Sequence, residues 1–216
     1  MTQRQQDHLD TLSEIRSMME RSSRFLSLSG LSGIAAGFCA LIGAAVVYAY
    51  LETTPFAGER AYYLKALKAN KWGMNYQTFF LLDAALVLLA ALTSGIFFTS
   101  RKAKKKGQKI WDALTLRLLT NLAIPLITGG IFCLALIYHG SIGLVAPATL
   151  VFYGLALING SKYTLNDIRY LGILEVLLGL IALFNLGYGL EFWVIGFGIL
   201  HIIYGTYMYF KYEKDE

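Results

Sequence analysis

Residues 101 to 109 read RKAKKKGQK, a basic run between apolar stretches on either side that are each long enough to cross a bilayer. A lysine-rich bend in that position stays on the cytoplasmic face, so it sets the side on which every other connection falls. Around it, 56% of the 216 residues are hydrophobic and only 15% are charged, a balance that belongs to a membrane protein. The formal charge is a modest +5, and its clustering directs it to anionic lipid headgroups, with Arg101, Lys102, Lys104, Lys105, Lys106 and Lys109 as the contacts. No folded basic domain surrounds the cluster, so nucleic acid is not an expected partner.

Working outward, an uncharged run from Phe25 to Leu51 supplies a first crossing. Its small residues form the helical ladders Ser29, Gly33, Gly37 and Ser32, Ala36, Ala40, Ala44, which would admit a close neighbour. Upstream, Leu9, Leu12, Ile15, Met19 and Leu26 recur at three- to four-residue steps among charged residues, so residues 1–24 are expected to form an amphipathic helix, with Thr11 and Glu14 as a capping box. It could lie on the membrane, cover the ends of the spans or meet a cytoplasmic protein partner. This start is polar and its apolar run exceeds a signal peptide's, so an uncleaved N-terminus is expected.

The connection from Glu52 to Tyr76 is the one long loop, with ERAYYLKALKAN as a possible short interfacial helix and Trp72 and Tyr76 as aromatic-belt residues. After the basic run, Ile110 to Leu116 is expected to follow the surface, anchored by Trp111. Leu118 to Ser161 contains no Asp, Glu, Lys or Arg over 44 residues, which suits two crossings broken at His139-Gly140-Ser141. Pro125 should kink the first of these and free the carbonyl of Asn121, whereas Pro147 falls near the start of the second. A polar connection from Asn159 to Arg169 leads to two more spans, with a turn from Asn185 to Glu191.

The expected architecture is therefore all-α and polytopic: an N-terminal amphipathic helix, then six transmembrane helices at about 26–51, 77–99, 118–138, 142–158, 168–186 and 191–210. Of the 19 Lys and Arg residues, all but Arg60, Lys65, Lys68 and Lys71 fall on one side, which puts both termini and the basic run in the cytoplasm. Internal repetition is limited to the aromatic-glycine pairs at Tyr153-Gly154 and Tyr204-Gly205. Cys39 and Cys133 lie inside apolar runs and read as packed hydrophobes.

Ionisable groups within spans are costly enough to be candidate sites, and there are three: Asp83, Glu175 and His201. Glu175 and His201 are equidistant in sequence from Tyr188, so an antiparallel hairpin brings them to one depth. Gly172 and Gly179 flank Glu175 as Gly198 and Gly205 flank His201, an arrangement that would set Gly179 against Gly198 and Gly172 against Gly205 with the polar pair in contact. Such a pair could share a proton, for coupling or pH sensing, or could simply join two helices. Asp83, near the outer end of its span, would be satisfied by Lys71 or water, and with Asn121 it is the candidate lining of a polar cavity. His139 reads as a solvated turn residue.

No metal set is expected from three scattered histidines, and no HExxH, GxSxG or phosphate-loop motif is present, so neither a cofactor nor a catalytic residue is expected. The stretches SRFLSLSGLSGIAAG (Ser23 to Gly37) and NGSKYTLNDIRYLGILEVLLGL (Asn159 to Leu180) resemble an uncharacterised group of bacterial multi-pass membrane proteins, a likeness that implies the class and no activity. The functional expectation is a non-enzymatic sensing, scaffolding or accessory protein of the bacterial inner membrane. The rivals are a homo-oligomeric small-solute or proton-coupled transporter and an intramembrane lipid-modifying enzyme.

Overall fold

The computed structural model describes residues 28–56, 70–107 and 110–214. Among the described residues helices dominate, and five segments are long and apolar enough to cross a membrane: Gly30–Leu51, Tyr76–Lys105, Ala113–Tyr138, Ile142–Tyr163 and Gly189–Tyr212. We call the first three α1, α2 and α3. Within the fourth, α4 is Val145–Gly160, extended at both ends by single 3₁₀ turns. A further helix, α5, is Ile168–Phe184 with 17 residues, and α6 is Gly189–Tyr212. The expected amphipathic helix in residues 1–24 and most of the 52–76 connection lie outside the described residues.

Helix starts follow local chemistry. The Asn75 side chain accepts from the Thr78 N–H at 2.9 Å to open α2, and Asp112 accepts from the Thr115 N–H at 2.7 Å to open α3. The second cap alters an expectation: α3 begins at Ala113 in place of a surface strip reaching Leu116, because Asp112 satisfies the first-turn donors and the following residues have no reason to leave the helix. At the other end of the basic bend, α2 continues through Lys105, five residues into the run, since lysines in a last turn favour the carbonyl end of the helix dipole.

Two ends of the bundle differ in chemistry. At the end where α1 stops and α2 begins, a two-residue hairpin pairs Asn70 with Asn75 and Lys71 with Met74. Tyr50 stacks on Phe79 at 3.7 Å, Trp72 meets both edge-on, and the Tyr50 hydroxyl donates to the Met74 carbonyl at 2.9 Å. At the opposite, lysine-rich end, Glu213 just beyond α6 accepts from the Ser29 hydroxyl at 2.9 Å and from the Gly30 N–H, so the tail caps α1. Lys102 lies beside it, 3.3 Å from Glu213, and donates to the Leu28 carbonyl at 2.7 Å. Asp167, before α5, accepts from Lys211 at 2.8 Å and from Tyr212 at 2.6 Å.

Glycine decides which helices touch. Gly30, Gly33 and Gly37 of α1 lie against α6 so closely that a Cβ on Gly33 would sit 3.1 Å from the Gly205 Cα, and one on Gly37 2.7 Å from the Gly198 carbonyl. On α5, a Cβ on Gly172 would lie 2.7 Å from the Gly154 carbonyl, and one on Gly179 2.9 Å from that of Pro147. The expected pairings of Gly179 with Gly198 and Gly172 with Gly205 are thus wrong. Each glycine stripe serves a different neighbour: α5 packs on α4, and α6 packs on α1. In lipid, helix choice rests on close backbone approach, and the Gly172 and Gly179 stripe of α5 makes that approach to α4 while Gly205 of α6 makes it to α1.

A buried Glu–His–Tyr centre as the candidate functional site

Glu175 stands on the α5 stripe between Gly172 and Gly179, and its side chain is 0% exposed. Its Oε1 lies 3.4 Å from His201 Nδ1. What permits the approach is Gly196, on α6, for a Cβ there would fall 2.5 Å from Glu175 Oε2 and 2.4 Å from Leu150 Cδ2. The carboxyl therefore rests on bare backbone, with Leu150 closing one side.

The path of α6 also serves this site. From Val194 to Leu200 it is wound as a π-helix, which enlarges the turn and sets the Gly196 carbonyl under the His201 ring. Nδ1 lies 2.9 Å from that carbonyl. A carbonyl only accepts, so Nδ1 carries the hydrogen and donates it. On the far edge of the ring, Nε2 is 2.7 Å from the Tyr153 hydroxyl of α4, which donates to a neutral imidazole. His201 is thereby held by two bonds, whereas neither oxygen of Glu175 has a hydrogen-bond partner among the described residues. Chemically, the row Tyr153, His201, Glu175 can hold helices together by polar contact, and a proton could pass between Nδ1 and Oε1 only if Nδ1 released the Gly196 carbonyl.

Phe197 packs alongside, 4.9 Å from Tyr153 and 5.9 Å from His201, and Trp193 follows at 5.1 Å from Phe197. Trp193, at the end of this row, also lines a second feature, a cavity of ≈ 210 Å³ that contains Asp83 and is otherwise bounded almost wholly by apolar side chains. Neither Glu175, His201 nor Asn121 lines it.

No known protein family, curated protein or solved structure matches this chain.

The remaining candidates separate. Asp83 and Asn121 do not share a cavity: Asp83 faces Gly43 of α1, while Asn121 lies near the start of α3 and is bonded to α4. There, the Asn159 amide donates to the Asn121 carbonyl at 2.9 Å, the same carbonyl that Pro125, four residues on and without an N–H, leaves free. Lys71 does not reach Asp83, because it is held by Glu52 at 2.7 Å and the Ala49 carbonyl at 3.3 Å. Of the basic run, Arg101, Lys104, Lys105 and Lys106 are exposed, and Lys109 lies outside the described residues. Lys102 is corrected from headgroup contact to internal latch, since continuation of α2 turns it inward to Leu28 and Glu213. Among the described residues no three potential metal-binding side chains gather. His139 caps α3 and is exposed.

Sequence reasoning missed Tyr153, Gly196, Asn159 and Glu213. A polar tyrosine in an uncharged run was the available signal for the first, and a lone acid after the last apolar turn for Glu213.

Proposed function

We propose that this chain is a six-span protein of the bacterial cytoplasmic membrane with both termini inside, serving a non-enzymatic sensing, scaffolding or accessory role. The excess of Lys and Arg on one side supports that orientation, and α5, at 17 residues, meets the lower limit for a crossing. Exposed Arg101, Lys104, Lys105 and Lys106 supply an anionic-lipid contact at the inner face.

One observation carries the reading: Glu175 is fully buried against Gly196, Leu150 and His201, in a glycine-packed crossing. Such a centre locks α4, α5 and α6 in one arrangement. The test is flux: purified protein in proteoliposomes under an imposed pH gradient should carry no proton current above protein-free vesicles, and Glu175→Gln should change nothing in that measurement. Loss of a cellular phenotype on deleting residues 1 to 24 would place the working surface at the inner face.

A second reading, proton-coupled transport by a homo-oligomer, draws on the unpartnered oxygens of Glu175 beside a histidine. It requires pH-dependent flux that Glu175→Gln abolishes, so the same experiment separates the two.

A further inference from the structure

Helix α2 leans principally on α1, and where it diverges from α4 and α6 it leaves the ≈ 210 Å³ cavity. The walls come from the hairpin end of the bundle: Tyr76 and Phe80 from the first turns of α2, Ala146 and Thr149 from α4, and Trp193 from α6. An apolar cavity of ~150 Å³ holds a benzene ring, so this one holds a ring with a short arm. Into these walls α2 places Asp83, a half-buried carboxyl with no hydrogen-bond or ion-pair partner among the described residues.

The two halves of the site ask for different things. Apolar and aromatic walls select a body that partitions into lipid, and the single carboxylate selects a positive charge on it. Three aromatic rings in the same wall favour a cation further, because their faces are negative. A neutral lipid tail would leave Asp83 unpaired, and a hydrophilic cation would leave the walls bare. We propose that this cavity binds a small lipophilic organic cation, an aromatic or aliphatic body bearing one ammonium group, with Asp83 as its counter-ion. The site is separate from the Glu175–His201 centre, neither residue of which lines the cavity.

The test uses the full chain in lipid nanodiscs and radiolabelled benzyltrimethylammonium as probe, with neopentylbenzene, its uncharged isostere, as competitor. Saturable binding is expected, weakened about tenfold or more by Asp83→Asn and lost in Ala146→Leu, which fills the cavity. Thr93→Val, on the exposed face of α2, should bind as the parent does, and neopentylbenzene should not compete at equal concentration. Elution volume and circular dichroism establish that each variant is folded; should Ala146→Leu fail to fold, Thr149→Leu takes its place. The proposal is overturned if binding is not saturable, if Asp83→Asn leaves it unchanged, or if the uncharged isostere competes equally. Binding that emerges only after Lys65→Ala and Lys68→Ala would assign the site to the chain's own connection, and overturns it too.

Discussion

Replacing Asn159 by alanine should destabilise the protein by an amount that depends on whether residue 125 is proline. In the parent, Pro125 cannot donate to the Asn121 carbonyl, and the Asn159 amide supplies the missing bond at 2.9 Å. Leaving a carbonyl unpaired costs about 1–3 kcal/mol, and interhelical hydrogen bonds in bilayers average ~0.6 with a ceiling near ~1.7. Asn159→Ala should therefore cost about 1–1.5 kcal/mol, roughly a tenfold shift in the unfolding equilibrium. In a Pro125→Ala background the residue 125 N–H satisfies the same carbonyl from within α3. There the loss should fall below about 0.5 kcal/mol, a coupling of about 1 kcal/mol. Steric trapping in bicelles measures all four corners of this cycle. Because Asn159 also approaches Asn121 Oδ1 at 3.3 Å, an Asn121→Leu background serves as the control: it keeps the main-chain oxygen and should preserve most of the cost. An equal cost of Asn159→Ala with and without Pro125 would refute the assignment of this bond to the proline's vacancy.

Glu213→Ala removes the cap on α1 and the partner of Lys102, so it should cost roughly 1–3 kcal/mol and speed hydrogen exchange at Gly30, read by mass spectrometry. Gly205→Ala should cost about 1–3 kcal/mol or more in thermal unfolding, because its Cβ would lie 2.6 Å from the Ile34 nitrogen and 2.7 Å from the Gly30 carbonyl, both immovable backbone. Gly95→Ala on α2, with nothing within 4 Å, should instead be neutral or stabilising by about 0.5–1 kcal/mol. For Asp167, burial opposes ionisation, but the hydrogen bonds from Lys211 and Tyr212 outweigh it and hold the carboxyl below its ordinary range. Its contribution is then present above an unfolded carboxylate pKa of about 3.9 and is lost as pH falls through the lower folded value. Thermal unfolding from pH 6 down to pH 3 should drop less steeply in Asp167→Asn than in the parent.

Read as a linear string, this chain already declares its class, because hydropathy and length follow from the solvent a segment must tolerate, and that requirement is local. Apolar runs, helix-breaking Gly140, and the lysines gathered after Thr99 are legible one residue at a time. So is the freed Asn121 carbonyl, since proline's missing N–H acts four residues back on its own helix. The shared depth of Glu175 and His201 follows from counting outward from Tyr188. Which faces meet is another matter. Lipid is as apolar as a leucine side chain, so no hydrophobic gradient tells a membrane helix where to turn, and α1, α4, α5 and α6 each carry glycine on a face that could serve any neighbour. Only the packed bundle sets Gly172 on Gly154 and Gly205 on Gly30, turns Lys102 inward to Glu213, and aims the Tyr153 hydroxyl at His201. These are bonds between residues far apart in sequence, and close contact between helices, summed over the whole bundle, decides them.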